Sequence, residues 1–302
     1  MQNHTKGIIY ASITAFFWGF LPIALKVAVQ EVEPVTIVWF RFALAFLMLS
    51  GWQVRKNPSA FKLLIKPPLL LVLASVALTW NYLGYMLGIY YTTPSNAQLF
   101  IQTGPIMLAI SGFVFFKEKI TRLQIVGFAI AILGLSFFYH DQLSVFIGNN
   151  KNYNFGVFIT LTAALAWATY AALQKKLVAN YTTESLNLFL FALPILVYFP
   201  FIHLAPLLQL SWLWWLLLVF LGANTFIAYT ALAEALKYTN ASTVSIIIII
   251  NPIITFVTMG ILTALNVSWV AHDHFSAITI LGASLVICGV ILVARKRKVE
   301  QK

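Results

Sequence analysis

Charge is what this sequence has least of. Only 9% of its 302 residues are Asp, Glu, Lys or Arg, while 61% are hydrophobic and the mean hydropathy is +0.89. A soluble domain normally carries about 25% charged residues. A chain so poor in charge cannot cover a water-facing surface, so most of its outside must face lipid. Cysteine is nearly absent as well. The single one, Cys288, excludes an internal disulfide, and no metal-ligand spacing involves it.

Acidic residues number eight: Glu31, Glu33, Glu118, Asp141, Glu184, Glu234, Asp273 and Glu300. Each falls in a loop, a tail or the end of an apolar run. No aspartate-rich diphosphate site, metal-ligating helix pair, nucleophile elbow or Walker-type phosphate loop can be read from the sequence. The chain is therefore expected not to be an enzyme, to carry no ATPase domain and to need no cofactor. His272-Asp273-His274 offers two imidazoles, which fall short of a closed metal site. It reads as a solvated loop, and no metal is expected.

What the sequence does have is apolar runs. Crossing a hydrocarbon core of about 30 Å takes roughly 20 helical residues, so the chain holds about ten crossings with little left over. Runs bounded by polar or Pro/Gly breaks lie near 7–27, 35–53, 69–90, 95–116, 122–140, 155–174, 185–204, 212–235, 241–264 and 276–294. The first follows a short polar head. It reads as an uncleaved span, because nine similar runs follow and no small-residue cleavage site precedes Lys26.

The basic excess of +11 is distributed by side. With the N-terminus placed inside, the inner segments hold Lys6, Arg55, Lys56, Lys62, Lys66, Lys117, Lys119, Arg122, Lys175, Lys176, Lys237 and five residues of the 295–302 tail. That is sixteen, against Lys26 and Lys151 outside, with Arg41 inside a span. The positive-inside rule then predicts both termini in the cytoplasm. The basic patches set topology and touch anionic headgroups, so membrane lipids are expected partners and nucleic acid is not.

The chain also repeats itself. GIIYASITAFFWGFLPIALK from Gly7 is echoed by GVFITLTAALAWATYAALQK from Gly156, which pairs Trp18 with Trp167 and Lys26 with Lys175 at an offset of 149. YTTPSNAQLFIQTGPIML from Tyr91 is echoed by YTNASTVSIIIIINPIIT from Tyr238, pairing Pro105 with Pro252 at an offset of 147. Tyr82 and Tyr229 share that offset, and Gly127 and Gly134 recur as Gly282 and Gly289 at an offset of 155. Five spans per copy is an odd number, so the second copy must lie upside down. The predicted fold is an all-α integral membrane protein: ten transmembrane helices as two inverted five-helix repeats, over residues 1–140 and 155–294. Residues 141–154 form the outer connection and 295–302 a basic cytoplasmic tail. Inverted repeats point to a secondary transporter with its site near the midplane.

Trp18-Gly19, Lys26, Pro34 and Arg41 resemble the opening signature of the EamA-type drug/metabolite transporters. Residues 93–135, with Pro105, Lys117-Glu118-Lys119, Gln124, Gly127 and Gly134, resemble the rest of it, and the likeness covers both halves. The resemblance implies ten helices with both termini inside and export of small metabolites or drugs. It further implies a central cavity lined by the first four helices of each half, with helices five and ten peripheral. The second copy departs from the pattern: it has no acidic residue matching Glu118, and residues 266–275 make a longer outer loop.

Polar groups facing hydrocarbon have no partner, so those inside spans must turn toward other helices or a wet cavity. Gln98, Gln102 and Pro105 share one helix face, and Pro105 removes the hydrogen bond that the Ile101 carbonyl would accept. Thr14 and Trp18 begin a similar stripe, and Trp167 and Tyr170 lie on one with Ala163 and Gln174. Asn81, Tyr82 and Tyr85 add another face, and Asn224 and Tyr229 a last one. Taken singly, each amide or hydroxyl suits helix–helix glue. As a set without carboxylates they describe a pocket for an uncharged, zwitterionic or amphipathic solute. Arg41 lies about 9 Å from the outer end of its span. It is open to two readings: a receptor for a substrate carboxylate, or a side chain that snorkels out or pairs with Glu31 or Glu33.

The expectation is a permease of the bacterial inner membrane that exports a small organic metabolite, such as an amino acid or a drug, by alternating access. It would act as a monomer or homodimer, with Pro105 and Pro252 as hinges. A lipid or hydrophobic-molecule translocator is the alternative, and a membrane-embedded enzyme a more distant one.

Overall fold

A computed structural model describes residues 2–92, 94–140, 151–267 and 276–294. The loop with His272, Asp273 and His274, the 295–302 tail and most of the 141–154 connection lie outside them. Among the described residues regular structure is helical, without strands. Eight helices are long and apolar enough to cross a membrane, and two apolar helices are shorter, Arg122–Phe138 and Ala277–Val293. At 1.5 Å per residue such a helix is about 26 Å long, a little under a full hydrocarbon core.

The first half contains α1 (Gln2–Ala28), α2 (Pro34–Lys56), the single turn α3 (Lys62–Ile65), α4 (Leu69–Tyr91), α5 (Pro94–Ile101), α6 (Thr103–Val114) and α7 (Arg122–Phe138). The second contains α8 (Lys151–Leu177), α9 (Thr183–Tyr198), α10 (Trp212–Tyr238), α11 (Ala241–Ile248), α12 (Asn251–Ala264) and α13 (Ala277–Ala294). Local chemistry places several starts. Pro34 occupies the first turn of α2, where its missing N–H costs nothing. Thr121 and Gln124 form a capping box for α7, and Thr182 accepts from the Ser185 N–H to cap α9.

Two apolar runs that the sequence reads as single spans are each broken in two. Gln102 separates α5 from α6, and Ile249 and Ile250 separate α11 from α12. In both cases a proline follows within three residues. Pro105 and Pro252 donate no backbone hydrogen bond, so the ladder loses a rung at Ile101 and at Ile248.

The long helices cross between two faces of the bundle. One face gathers Glu118, Lys175, Tyr238 and the start of α1, where His4 bonds Thr239 at 2.8 Å. The other gathers Ala28, Pro34, Tyr91 and Phe155, with Tyr91 and Phe155 edge to face at 5.4 Å. They are called the Glu118 face and the Tyr91 face below. Between them Leu47, Val76, Ile132, Leu165, Leu216 and Ile261 point outward, as lipid-facing side chains do. Tyr90, Trp52 and Trp212 are exposed at helix ends, where interfacial anchors belong.

Helices α7 and α13 pack on each other through glycine. A Cβ at Gly134 would lie 2.8 Å from the Gly282 carbonyl oxygen, and one at Gly282 would lie 2.3 Å from the Phe138 backbone nitrogen. The two backbones therefore touch directly, as small residues permit in membrane helices.

Candidate functional site

The breaks in α5–α6 and α11–α12 meet at the middle of the bundle, beside a cavity that encloses about 530 Å³ when the open space at its mouth is included. Its aromatic wall comes from both halves. Trp18 and Trp167 stand edge to face, ring centroids 5.7 Å apart, and Tyr229 leans on Trp18 at 5.3 Å. Tyr82 and Tyr229 are likewise 5.3 Å apart. The indole N–H groups of Trp18 and Trp167 are buried without hydrogen-bond partners among the described residues, although both rings line the cavity.

The polar wall is an amide cluster. Asn251 Oδ1 accepts from Gln98 Nε2 at 2.9 Å and from Gln102 Nε2 at 2.8 Å. Tyr85 donates its hydroxyl to Gln98 Oε1. Gln102 Oε1 is left buried with no hydrogen-bond partner among the described residues. The helix breaks thus bring one side chain from the second half onto two from the first. Leu21, Asn81, Ile101, Pro105 and Ile248 complete the lining. Asn81 also reaches across to α8, where its amide donates to the Ala163 carbonyl at 2.9 Å.

Arg41 reaches the cavity from α2 and is 2% exposed. Its Nε donates to Thr225 Oγ1 at 3.1 Å, and its guanidinium lies 4.5 Å from the centre of the Tyr82 ring. It neither snorkels outward nor pairs with the nearby glutamates. Glu33 is turned to His203 at 2.7 Å, and Glu31 is exposed. Among the described residues no carboxylate pairs with Arg41. The cavity therefore holds a cation together with two indole donors and the Gln102 Oε1 acceptor, which have no hydrogen-bond partners among the described residues.

Nine of the residues expected to bind substrate line this cavity: Trp18, Arg41, Asn81, Tyr82, Tyr85, Gln98, Gln102, Trp167 and Tyr229. Three do not. Thr14 donates to the Tyr10 and Ala228 carbonyls, Asn224 to the Phe17 carbonyl, and Tyr170 to Gln174. Thr14 and Asn224 thereby join α1 to α10, whereas Tyr170 bonds within α8. Asn251 was missed by sequence reasoning. It precedes a proline inside an apolar run, which was the available signal, but its repeat counterpart Gly104 carries no side chain to draw attention to it.

The model of the EamA-like transporter family matches residues 5–139 and 154–295. An uncharacterized transporter of Haemophilus influenzae is 30% identical over 295 residues, covering 97% of this chain and 96% of that protein. The uncharacterized inner membrane transporter YhbE of Escherichia coli K12 is 30% identical over 291 residues, covering 95% and 91%. A solved crystal structure superposes with a TM-score of 0.74 over 96% of this chain and 97% of the other; at 14% identity it speaks for the fold alone. The matches span both halves, and the cavity lies between them. This chain belongs to the EamA-like transporter family and is a multi-pass membrane transporter.

Proposed function

We propose that the chain is a ten-helix secondary transporter that exports a small carboxylate-bearing metabolite, an amino acid or related compound, across the bacterial inner membrane. Two inverted five-helix repeats, residues 1–140 and 155–294, rock about the central cavity in alternating access. Both termini are cytoplasmic, so the Glu118 face is the inner one. The contacts of repeat-related residues support this reading. Trp18 touches Trp167 and Tyr82 touches Tyr229, each residue meeting its own counterpart, as happens only near a two-fold axis. Gly127 faces Gly289 while Gly134 faces Gly282, which is the reciprocal pairing a two-fold axis requires.

The observation that carries the substrate assignment is Arg41. An intramembrane cation is costly without a counter-charge, and a cavity that offers Arg41 none among the described residues suits an anion from outside the protein. The partnerless indole N–H groups add donors, and Gln102 Oε1 offers an acceptor to an ammonium or hydroxyl of the same solute. Purified protein in liposomes should catalyse counterflow of a labelled amino or carboxylic acid, and Arg41→Gln should abolish it. Scrambling of labelled lipid with no counterflow of any carboxylate would favour the lipid translocator instead.

A further inference from the structure

On the Glu118 face one carboxylate ties the two halves together. Glu118 follows α6, in the first half. Its Oε1 accepts the Ala241 N–H at 2.7 Å, and its Oε2 accepts the Ser242 N–H at 3.1 Å and the Ser242 hydroxyl at 2.6 Å. Those groups open α11 in the second half, where unpaired N–H donors and the positive end of the helix dipole favour an anion. The site is prepared for it. Lys117 adopts φ 51°, uncommon for a side-chain-bearing residue, which turns the chain back so that the Glu118 N–H reaches the Gly112 carbonyl at 3.0 Å. A Cβ at Gly112 would sit 2.7 Å from Glu118 Oε2, so only glycine leaves the carboxylate its place. Just before Ala241, Lys175 donates to the Leu236 and Thr239 carbonyls, both at 2.6 Å, steadying the same turn.

At the Tyr91 face the described residues do not repeat this arrangement. The counterpart of Ala241 is Pro94, which has no N–H to give. The chain turns again after α12, with Asn266 at φ 55°, but the residue that follows is Val267. The place of Gly112 is filled by Met259, and Lys26, the counterpart of Lys175, makes no side-chain hydrogen bond to a described residue.

We propose that Glu118 and the start of α11 form a one-sided latch that seals the Glu118 face at rest, so that the empty transporter stands open toward the Tyr91 face. The two repeats are alike in scaffold and unlike in this contact. Without it, an inverted-repeat protein would have little reason to favour one of its two symmetry-related states. With it, the sealed state gains charge-assisted hydrogen bonds that the opposite state lacks. Each transport cycle must break the latch before the Glu118 face can open. The proposal rests on the alternating-access reading above.

The test reads accessibility, not transport. In a Cys288→Ser background, Ser245→Cys places one thiol behind the latch, on a fully buried turn of α11. A membrane-impermeant maleimide is applied from the Glu118 side in sealed vesicles. The parent should label slowly, and Glu118→Ala about tenfold faster, the population shift expected when hydrogen bonds to a charged group are lost. Ala241→Pro is the second variant. It copies Pro94, suits the first turn of a helix, and follows Asn240 already at φ −68° and ψ 147°, so it removes one latch donor without breaking the fold. It too should label faster. Unchanged rates in both variants would overturn the latch. Faster labelling in a protein that transports nothing would leave the latch standing and remove the transport reading instead.

Discussion

Trp18 and Trp167 meet edge to face at 5.7 Å in the middle of the bundle, although they stand 149 residues apart and on separate halves. Each is the other's counterpart in the repeat. Their contact places the junction of the halves at the cavity wall, and it makes a prediction of parity. Trp18→Ala and Trp167→Ala should weaken substrate binding to similar extents, about tenfold each for a lost aromatic contact. Titration of purified protein with the transported solute checks it. A large effect from one tryptophan alone would mean that the substrate lies off the junction.

Arg41 separates stability from function. Leu190 occupies its place in the second half, at the same offset of 149. Arg41→Leu should therefore leave thermal stability in detergent unchanged or raise it, since an uncompensated buried cation is removed. Counterflow should fall at least about a hundredfold, as when one partner of a buried charge pair is lost. Melting curves beside liposome assays check both halves of the statement.

Asn251 holds two amides at once. Asn251→Ala would leave Gln98 Nε2 and Gln102 Nε2 without their acceptor in the middle of the cavity. The expected cost is about 1–3 kcal/mol of stability. A changed order of preference among related substrates should accompany it. Competition of unlabelled amino acids against one labelled substrate measures that order.

Pro105 and Pro252 sit just after the two helix breaks. Pro105→Ala and Pro252→Ala should restore backbone hydrogen bonds to Ile101 and Ile248, stiffen the spans and slow transport, with equilibrium binding little changed. Rates in liposomes unaffected by both substitutions would remove the hinge role.

The glycine contact of α7 with α13 is structural in the same measurable sense. Gly282→Val would drive side-chain carbon into the Phe138 backbone, which a Cβ would already approach to 2.3 Å. Overpacking of this kind costs about 1–3 kcal/mol. The melting temperature should fall while substrate affinity in the surviving protein is kept.

Much of this was legible in one dimension because it depends on composition and spacing. Low charge demanded lipid-facing helices, and prolines in apolar runs foretold weak points in two spans. The polar stripe of Gln98 and Gln102 was visible from i,i+4 spacing, and it does face the cavity. Thr14, Tyr170 and Asn224 looked the same on paper, but only Trp18, Trp167 and Tyr229 of their stripes line the cavity. Which residue of a stripe reaches it is settled by the neighbour each one meets. Spans were also expected over 122–140 and 276–294, whereas the helices there, Arg122–Phe138 and Ala277–Val293, are shorter than the other eight, since hydropathy marks apolar runs better than it marks helix ends.

By itself the sequence determined that this is a helical membrane protein, that its halves echo one another, and that Arg41 stands inside a span. Those follow from the cost of bare polar groups in hydrocarbon and from the order of residues along the chain. Only the tertiary structure decided that Arg41 finds no carboxylate among the described residues, that Asn251 bridges two glutamines from the other half, and that Glu118 grips α11. Each of these joins residues 123 to 153 positions apart or turns on a missing neighbour, and only packing brings such groups within 3 Å of one another.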